Sequence, residues 1–501
     1  MVSIMNFIST RNGNYKITGT EAVIKGISPD GGLFVPENFP RITVDFLDEL
    51  CELNYPQAAS KIMALFMDDF SESELLAMAE DAYKCFSDPE DACPVVSIDD
   101  AVYITELWHG PTFAFKDVAL SFLPRLLTAC KKKVGNKEKT LILVATSGDT
   151  GKAAIEGFKD VEGTDIIVFY PEDGVSEAQK LQMKTSGGKN VYVAGINGNF
   201  DDAQTGVKRI FADTDIKNKL AERGFALSSA NSINWGRLMP QIVYYFTSYC
   251  QMVNGGEIEM GEEINFCVPC GNFGNILAGW YAKQMGLPIK NLICASNSNK
   301  VLTDFFNTGK YSLKGREFIK TTSPSMDILI SSNLERLVFE IMGRDWEKTA
   351  ELMQNLKERG EFEIPKGLLK KQAGCFFADF ATLEEVENAI GAIYESSDYL
   401  LDPHTAVAMV VAESYHDQTE DLDLTLVMST ANPYKFPQAV HQAVFGKAEP
   451  DAFKAMERVA LETGEPIPDA LLKLREMPVR FGDILQPSEL KDKVIEYVNN
   501  R

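Results

Sequence analysis

Short, nearly continuous apolar segments alternate with helical stretches over roughly 300 residues of this 501-residue chain. Such apolar segments are typical of strands that are covered on both faces, as in parallel sheets. Their alternation with helices predicts a parallel α/β architecture. The predicted strands are Thr140–Ala145, Ile166–Tyr170, Val191–Ile196, Ala226–Ser229, Ile264–Pro269, Leu292–Ala295 and Leu424–Met428.

Other regions flank or interrupt this alternation. The first part of the chain carries apolar residues at helical spacing, and the last part reads as polar helices. The predicted divisions are a helix-rich N-terminal domain (1–95), an α/β region (96–445) with a smaller domain at about 125–240 and a helical insertion at about 310–400, and a C-terminal helical segment (446–501).

The chain is strongly acidic, with a formal net charge of −23 and a pI near 4.7. This charge repels nucleic acids and anionic membranes, so we expect neither as a partner. The nine cysteines are scattered through apolar stretches, which indicates reduced thiols and a cytoplasmic protein. The N-terminal MVSIMNFIST does not resemble a signal peptide, and no apolar stretch is long enough to span a bilayer.

Lys116 lies among aromatic and small apolar residues in the segment Leu107–Asp117, which reads LWHGPTFAFKD. A Gly-Pro turn precedes the lysine, and an apolar helix is predicted to follow it. Burial disfavours the ammonium form and lowers the pKa of a lysine, as a Schiff-base nucleophile requires. The alternative is an ordinary lysine at the start of a helix whose ammonium group reaches water.

Three further segments follow predicted strands, where α/β sheets carry their ligand-binding loops. Ala145–Ala153 has small residues before a helix, and Val268–Asn275 combines two glycines with two asparagines. Backbone N–H groups in such loops bind anions, and the second loop is the better cradle for a phosphate. Met428–Phe436 places hydroxyl groups at the end of a strand. Ordinary tight turns and strand ends are the alternatives.

Two other interpretations of these loops are disfavoured. A nucleotide-binding phosphate loop requires a different glycine spacing and a hydroxyl group where Ala153 stands. Cys267 and Cys270 form a CxxC pair, but no second cysteine pair or nearby histidine completes a zinc site. The sequence therefore predicts an anionic cofactor or substrate, and no metal, at the carboxyl edge of the sheet.

Taken in chain order, the motifs resemble those of the threonine synthase family, pyridoxal-phosphate enzymes of the tryptophan-synthase-β fold type. The similarity extends from about residue 9 to 440. Two positions depart from the family pattern, because Asn432 stands where many members carry His and Tyr434 where Ala is expected. The matching motifs include PDGGLFVP at 29–36, HGPT at 109–112, SGDTG at 147–151, NSINW at 231–235 and DPHTA at 402–406.

The resemblance implies the type II fold: two parallel-sheet α/β domains with pyridoxal 5'-phosphate between them, plus the helix-rich N-terminal domain. It implies that Lys116 holds the cofactor as a Schiff base and then serves as the main acid and base. The implied cofactor-binding residues are Gly271, Asn272, Phe273, Gly274 and Asn275 at the phosphate and Thr430 at the pyridine nitrogen. The implied substrate-binding residues are Ser147, Asp149, Thr150, Asn234 and Arg237.

The implied reaction converts O-phospho-L-homoserine and water to L-threonine and phosphate by γ-elimination and β-addition, the last step of threonine biosynthesis. We expect a monomer or homodimer that binds this small-molecule substrate. The nearest alternatives are a hydroxy-amino-acid dehydratase, against which the Asn231–Arg237 segment argues, and a threonine-synthase-like phospho-lyase. A non-catalytic amino-acid or phosphate sensor is a further alternative, against which the presence of Lys116 argues.

Overall fold

A computed structural model describes residues 5–98, 102–173 and 175–501 of the chain, without the side chain of Asp201. Residues 1–4 lie outside this part. They are the beginning of the N-terminal segment that was considered as a signal peptide. The described residues form two mainly parallel sheets covered by helices, together with an N-terminal region. None of their helices has the combination of length and apolar composition needed to cross a membrane.

The larger sheet has six strands, in the order Phe376–Phe380, Ile289–Ser296, Ile264–Pro269, Thr425–Ser429, Tyr103–Glu106 and Val95–Ser97. Its neighbouring strands are parallel, apart from the antiparallel pair at the Val95–Ser97 edge. The central strands are buried on both faces, with Cys267 in the cluster of helix Pro403–Thr419 and Phe266 in the main core. This explains why their sequences are continuously apolar.

The smaller sheet has five parallel strands, in the order Ile484–Leu485, Val191–Ile196, Thr164–Pro171, Lys139–Ala145 and Phe225–Ser228. The four longer strands confirm the predictions from the apolar segments. The edge strand Ile484–Leu485 comes from the C-terminal segment, which the sequence predicts as helical throughout. The type II α/β fold is thus present, with two sheets in the predicted places.

The N-terminal region contains helices Gly19–Lys25, Val44–Cys51, Tyr55–Ala64 and Glu72–Tyr83. Three of them begin with capping boxes. In each, the side chain of the residue before the helix accepts a hydrogen bond from the backbone N–H three residues later, and the side chain of that later residue accepts one in return. The region also holds a three-stranded antiparallel sheet that the sequence analysis does not predict. Its strands are Asn12–Thr18, Asn6–Ser9 and Phe34–Pro36, in that order.

The segment at about 310–400, predicted as a helical insertion, contains strands as well as helices. It contributes the strand Phe376–Phe380 to the edge of the larger sheet, and Lys310–Ser312 pairs with Glu361–Glu363. Phe376–Phe380 is mostly half-buried because an edge strand is only partly covered, so its sequence gives a weak strand signal.

The remaining helices cover the sheets and extend to the C-terminus. They are Lys116–Lys133, Asp149–Phe158, Glu177–Lys184, Phe200–Ala212, Thr214–Glu222, Trp235–Gly255, Gly274–Met285, Val301–Thr308, Leu334–Ile341, Trp346–Arg359, Lys366–Ala373, Leu383–Ser397, Pro403–Thr419, Pro437–Phe445, Ala452–Thr463, Asp469–Leu472 and Leu490–Asn499, with 3₁₀ turns at Pro324–Met326, Pro433–Lys435 and Lys473–Arg475.

The carboxyl ends of strands from both sheets converge on one cavity. Strand Lys139–Ala145 leads into it from the smaller sheet, and Ile264–Pro269 and Thr425–Ser429 lead into it from the larger sheet. Crevices at strand carboxyl ends are where α/β folds bind ligands. The three strand-exit loops singled out in the sequence therefore meet in space.

Candidate active site

Lys116 is the first residue of helix Lys116–Lys133 and reaches into the cavity. The preceding backbone is fixed to the larger sheet, because the Phe115 N–H donates to the Thr430 carbonyl oxygen at 2.9 Å. The Lys116 Nζ lies 3.3 Å from the Ser325 Oγ and 3.5 Å from the Asp149 Oδ2. Only 9% of the lysine side chain is exposed, so the interpretation as a solvated surface lysine is wrong.

Asp149 is a buried carboxylate that two lysines share. Its Oδ1 lies 2.9 Å from the Lys435 Nζ and also accepts a hydrogen bond from Gln179. Its Oδ2 faces Lys116 and accepts a hydrogen bond of 3.0 Å from the Ser325 hydroxyl. Four groups therefore surround this carboxylate, two of them cations.

Burial lowers the pKa of Lys116 to about 8, against the opposing effect of Asp149, and the positive charges of Arg237 and Lys435 add to the lowering. Burial alone would raise the pKa of Asp149, but Lys435 and Lys116 keep it well below its usual range. Asp149 is therefore ionised, while Lys116 can supply an uncharged amine close to neutral pH. This is the property predicted for Lys116 from its apolar sequence context.

Ser325 and His404 complete the surroundings of Lys116, and the sequence analysis assigns no role to either. The Ser325 N–H donates to the His404 Nε2 at 3.2 Å, and the His404 Nδ1 lies 2.8 Å from the Asp402 Oδ1. His404 thus fixes the turn that presents the Ser325 hydroxyl to Lys116. His404 belongs to the DPHTA motif, which is a usable signal, whereas Ser325 follows no strand and gives none.

The loop 271–275 forms an anion cradle. Phe273 has a left-handed backbone, with φ of 62°, just before helix Gly274–Met285. The carbonyl oxygens of Gly271 and Asn272 accept hydrogen bonds from Ser331 and Asn333, whereas the N–H groups of 271–275 donate to no group in the described part of the chain. Free N–H groups at a helix N-terminus bind a phosphate well.

Buried polar atoms without a partner line the same cavity. Arg237 is 4% exposed and donates to the Ala230 carbonyl oxygen, but its Nε has no partner among the described residues. The same holds for Asn275 Nδ2 and Asn231 Oδ1. Burial lowers the pKa of Arg237 to about 10, so it remains a cation at neutral pH. A buried arginine without a carboxylate partner indicates an anionic ligand.

The predicted substrate loop and Thr430 also reach the cavity. Ser147 and Thr150 line it at the start of helix Asp149–Phe158, and their N–H groups donate to no described group. Thr430 lines it from the larger sheet, with its backbone held by Phe115 and Thr405. The cavity is thus lined by the predicted residues Lys116, Ser147, Asp149, Thr150, Arg237, Gly271, Asn272, Phe273, Gly274, Asn275 and Thr430.

Two substrate assignments require correction. Asn234 does not line the cavity; it caps helix Trp235–Gly255 through the Gly236 N–H and donates to the Val23 carbonyl oxygen. Asn is a preferred residue at that position, a signal that the sequence contains. Asp149 does line the cavity, but its oxygens are occupied by Lys435, Gln179 and Ser325, so it is a partner of the lysines rather than of a substrate.

The two departures from the family pattern lie away from the cavity lining. Asn432 caps the next turn by accepting from the Tyr434 N–H at 3.0 Å. Tyr434 is buried against Phe453 and other apolar residues, and its hydroxyl donates to the Glu465 carbonyl oxygen. These residues therefore affect packing around the site rather than its surface.

Three family models match successive parts of the chain. The threonine synthase N-terminus model matches residues 6–83, the pyridoxal-phosphate-dependent enzyme model matches 93–355, and the threonine synthase C-terminal model matches 405–495. Together they span the N-terminal region, the smaller sheet, the larger sheet apart from its edge strand Phe376–Phe380, and most of the C-terminal helices.

Comparisons with individual proteins give the same family. The threonine synthase of Schizosaccharomyces pombe is 35% identical, covering 95% of this chain and 99% of that protein. The crystal structure of pyridoxal-phosphate-bound threonine synthase from Brucella melitensis is 37% identical with a TM-score of 0.86, covering 99% of both chains. Threonine synthase-like 1 of Pongo abelii is 42% identical over 87% of this chain, which spans only 60% of that relative's length.

Proposed function

The chain belongs to the threonine synthase family of pyridoxal-phosphate-dependent enzymes, and we propose that it converts O-phospho-L-homoserine and water to L-threonine and phosphate. One observation carries this proposal: the nearly buried Lys116 amine, the free N–H groups of 271–275 and the Arg237 guanidinium, whose Nε has no partner among the described residues, face one cavity. This set suits a ligand with a carbonyl group and more than one anionic group.

The residues present fit pyridoxal 5'-phosphate. The loop 271–275 would hold its phosphate, Lys116 would hold it covalently, and Thr430 would face its pyridine nitrogen. The Thr430 hydroxyl makes no hydrogen bond with the described residues and is therefore available. When bound, the cofactor supplies an electron sink for a carbanion next to its point of attachment.

The chain's own residues would bind the substrate and move its protons. Ser147 and Thr150, with their N–H groups at a helix N-terminus, would bind the substrate carboxylate. Arg237 would bind the substrate phosphate, since a guanidinium can contact two of its oxygens. Lys116, whose lowered pKa of about 8 leaves part of its amine uncharged near neutral pH, would take the proton from the α-carbon and return protons to the substrate as phosphate leaves and water adds.

A threonine-synthase-like phospho-lyase remains a second candidate, because relatives named threonine synthase-like 1 share more of their sequence with this chain than relatives named threonine synthase do. Threonine synthase-like 1 of Homo sapiens is 42% identical, against 35–37% for relatives named threonine synthase. The chain spans 58% of the length of the human protein and 99% of the length of the fission-yeast enzyme.

Product analysis separates these candidates. The purified enzyme is supplied with O-phospho-L-homoserine, and phosphate release is measured together with the organic product. We expect one threonine for each phosphate released. A keto acid in place of threonine would identify the phospho-lyase, and no phosphate release from enzyme containing bound cofactor would refute both.

Valine at Gly271 should weaken cofactor binding. A Cβ there would lie 2.7 Å from the Ser325 carbonyl oxygen and 3.3 Å from the Met326 Cα, so the cradle and the Ser325 turn must separate. Overpacking of this kind costs about 1–3 kcal/mol, and we expect the cofactor dissociation constant to rise about tenfold or more. Absorbance titration with pyridoxal phosphate measures it.

Two further glycines provide comparisons for this variant. Gly274→Val should have a smaller effect, because its nearest neighbour is the Ser232 Cβ at 3.3 Å. Gly482→Val is the control, since no atom lies within 4 Å of a Cβ there. An unchanged cofactor affinity in both Gly271→Val and Gly274→Val would move the phosphate cradle to another loop.

The protein's compartment and assembly stay predictions. The acidic composition and scattered cysteines support a cytoplasmic enzyme, and we propose a monomer or homodimer. Light scattering of the purified protein measures the assembly.

A further inference from the structure

Lys435 is a buried lysine that the proposed reaction does not use. Its side chain is fully buried and lies outside the cavity lining, so it cannot contact a substrate there. Its Nζ donates to the Thr112 carbonyl oxygen at 2.6 Å and lies 2.9 Å from the Asp149 Oδ1. A buried ammonium group is costly unless it is paired, so this lysine requires an explanation.

Two lysines contact the Asp149 carboxylate, one at a shorter distance than the other. Lys435 approaches one carboxylate oxygen at 2.9 Å, whereas Lys116 approaches the other at 3.5 Å. Lys435 also has the Thr112 carbonyl oxygen as an acceptor, while Lys116 has only the Ser325 hydroxyl. The shorter contacts indicate that Lys435 is the main cation of this carboxylate.

The other neighbours of Asp149 cannot replace that charge. Gln179 and Ser325 donate hydrogen bonds to it but carry no charge. If Lys435 were neutral, the buried carboxylate would have only Lys116 as a cation in direct contact. Because an uncompensated buried carboxylate is costly, Lys116 would then be held as ammonium and could not act as a nucleophile.

We propose that Lys435 is a positioning residue that frees Lys116 to be uncharged, by pairing with the opposite oxygen of their shared carboxylate Asp149. This inference rests on the proposed role of Lys116 as the residue that holds the cofactor. Lys435 itself takes no part in the chemistry; it acts through Asp149 and through its own positive charge near the Lys116 amine.

The charged surroundings of Lys116 determine the direction of the effect. Asp149 favours its ammonium form, whereas Lys435 and Arg237 disfavour it. His404 acts on Asp149 from helix Pro403–Thr419, and the buried Asp117 is held by Thr112, next to Lys435. Removing the charge of Lys435 should therefore raise the pKa of Lys116 and reduce the uncharged fraction of its amine near neutral pH.

The test measures how fast cofactor-free, full-length enzyme recombines with pyridoxal phosphate as a function of pH, by the return of the visible absorption band. Only an uncharged amine adds to the cofactor's aldehyde. Lys435→Gln keeps donors for Thr112 and Asp149 but removes the charge. We expect the midpoint of its pH profile to move up by about one unit, so that recombination near neutral pH slows about tenfold.

Matched variants separate this effect from simple damage. Lys435→Arg keeps the charge and should keep the wild-type midpoint. Lys152→Gln removes another, partly buried lysine, paired with Glu156 and Ser186 outside the cavity lining, and should also keep the wild-type midpoint. Asp149→Asn should move the midpoint down, and the double variant with Lys435→Gln should return towards the wild type.

These measurements distinguish a failure of the inference about Lys435 from a failure of the proposed role of Lys116. A Lys435→Gln enzyme that recombines at a wild-type midpoint would overturn the inference, even if it were less stable or bound less cofactor. A wild-type enzyme that never regains the visible band, or a Lys116→Ala enzyme that does, would instead refute the role of Lys116 on which the inference rests.

Discussion

Replacing Lys116 by alanine is expected to abolish turnover and the visible absorption band of the lysine-bound cofactor, while the protein stays folded. The change removes the amine that lies in the cavity between Asp149 and Ser325. It removes both the covalent attachment and the proposed acid and base, whose proton transfers alone account for about 10²–10⁴-fold in rate. We therefore expect kcat to fall about a thousandfold or more, which is the upper half of that range.

The fold should tolerate this change because Asp149 keeps Lys435, Gln179 and Ser325 as partners. Absorbance spectra, phosphate release and the free energy of unfolding are measured side by side. Lys152→Ala is the control, a partly buried lysine on the next helix, and should retain the band. A visible band in Lys116→Ala would show that another lysine carries the cofactor.

The strands of the two sheets were predictable where burial leaves a continuous apolar sequence. Val191–Ile196 and Ile264–Pro269 have the predicted bounds, because both faces of each strand are covered by the core. Asn12–Thr18 and Phe376–Phe380 were not predicted. Each is at a sheet edge and partly exposed, so polar residues interrupt its apolar pattern. Asn12–Thr18 pairs with the preceding strand Asn6–Ser9, whereas Phe376–Phe380 pairs with the distant strand Ile289–Ser296.

The site was predictable wherever its residues follow a strand or begin a helix. Lys116, Thr430 and the loop 271–275 meet in one cavity because parallel strands end on the same side of a sheet. Ser325 enters that cavity from a 3₁₀ turn held by His404, and no local pattern indicates such a distant contact. The resemblance of SGDTG to a substrate loop implies a substrate role for Asp149, and nothing near it in the sequence indicates its partner Lys435, 286 residues away (435 minus 149).

The negative charge of the chain repels the proposed anionic substrate, so the cavity itself must supply the positive charge that binds it. The chain carries a formal charge of −23, and O-phospho-L-homoserine carries a phosphate and a carboxylate. Among the described residues that line the cavity the balance is reversed, since Lys116, Lys208 and Arg237 outnumber the one carboxylate, that of Asp149. Lys435 and Lys116 are engaged by Asp149, which leaves Arg237 as the buried cation available for a second anion.

Replacing Arg237 by alanine is therefore expected to lower kcat/KM for O-phospho-L-homoserine by tens-fold to thousands-fold. Its guanidinium is 4% exposed, contacts the Ala230 carbonyl oxygen and leaves its Nε without a partner among the described residues. Loss of a charged partner from a buried anion costs about 2–5 kcal/mol, which corresponds to that range. The cofactor's visible band should stay normal if its phosphate is held by loop 271–275.

Steady-state kinetics and an absorbance titration with pyridoxal phosphate decide where Arg237 acts. Arg344→Ala is the control, because this arginine also donates to backbone carbonyl groups, of Pro36 and Glu37, but lies outside the cavity lining. It should lower the free energy of unfolding without a comparable fall in kcat/KM. A fall in cofactor affinity in Arg237→Ala would assign the guanidinium to the cofactor phosphate. A change of only a few-fold in both measurements would remove Arg237 from the site, because a buried cation in contact with either phosphate cannot be lost at so small a cost.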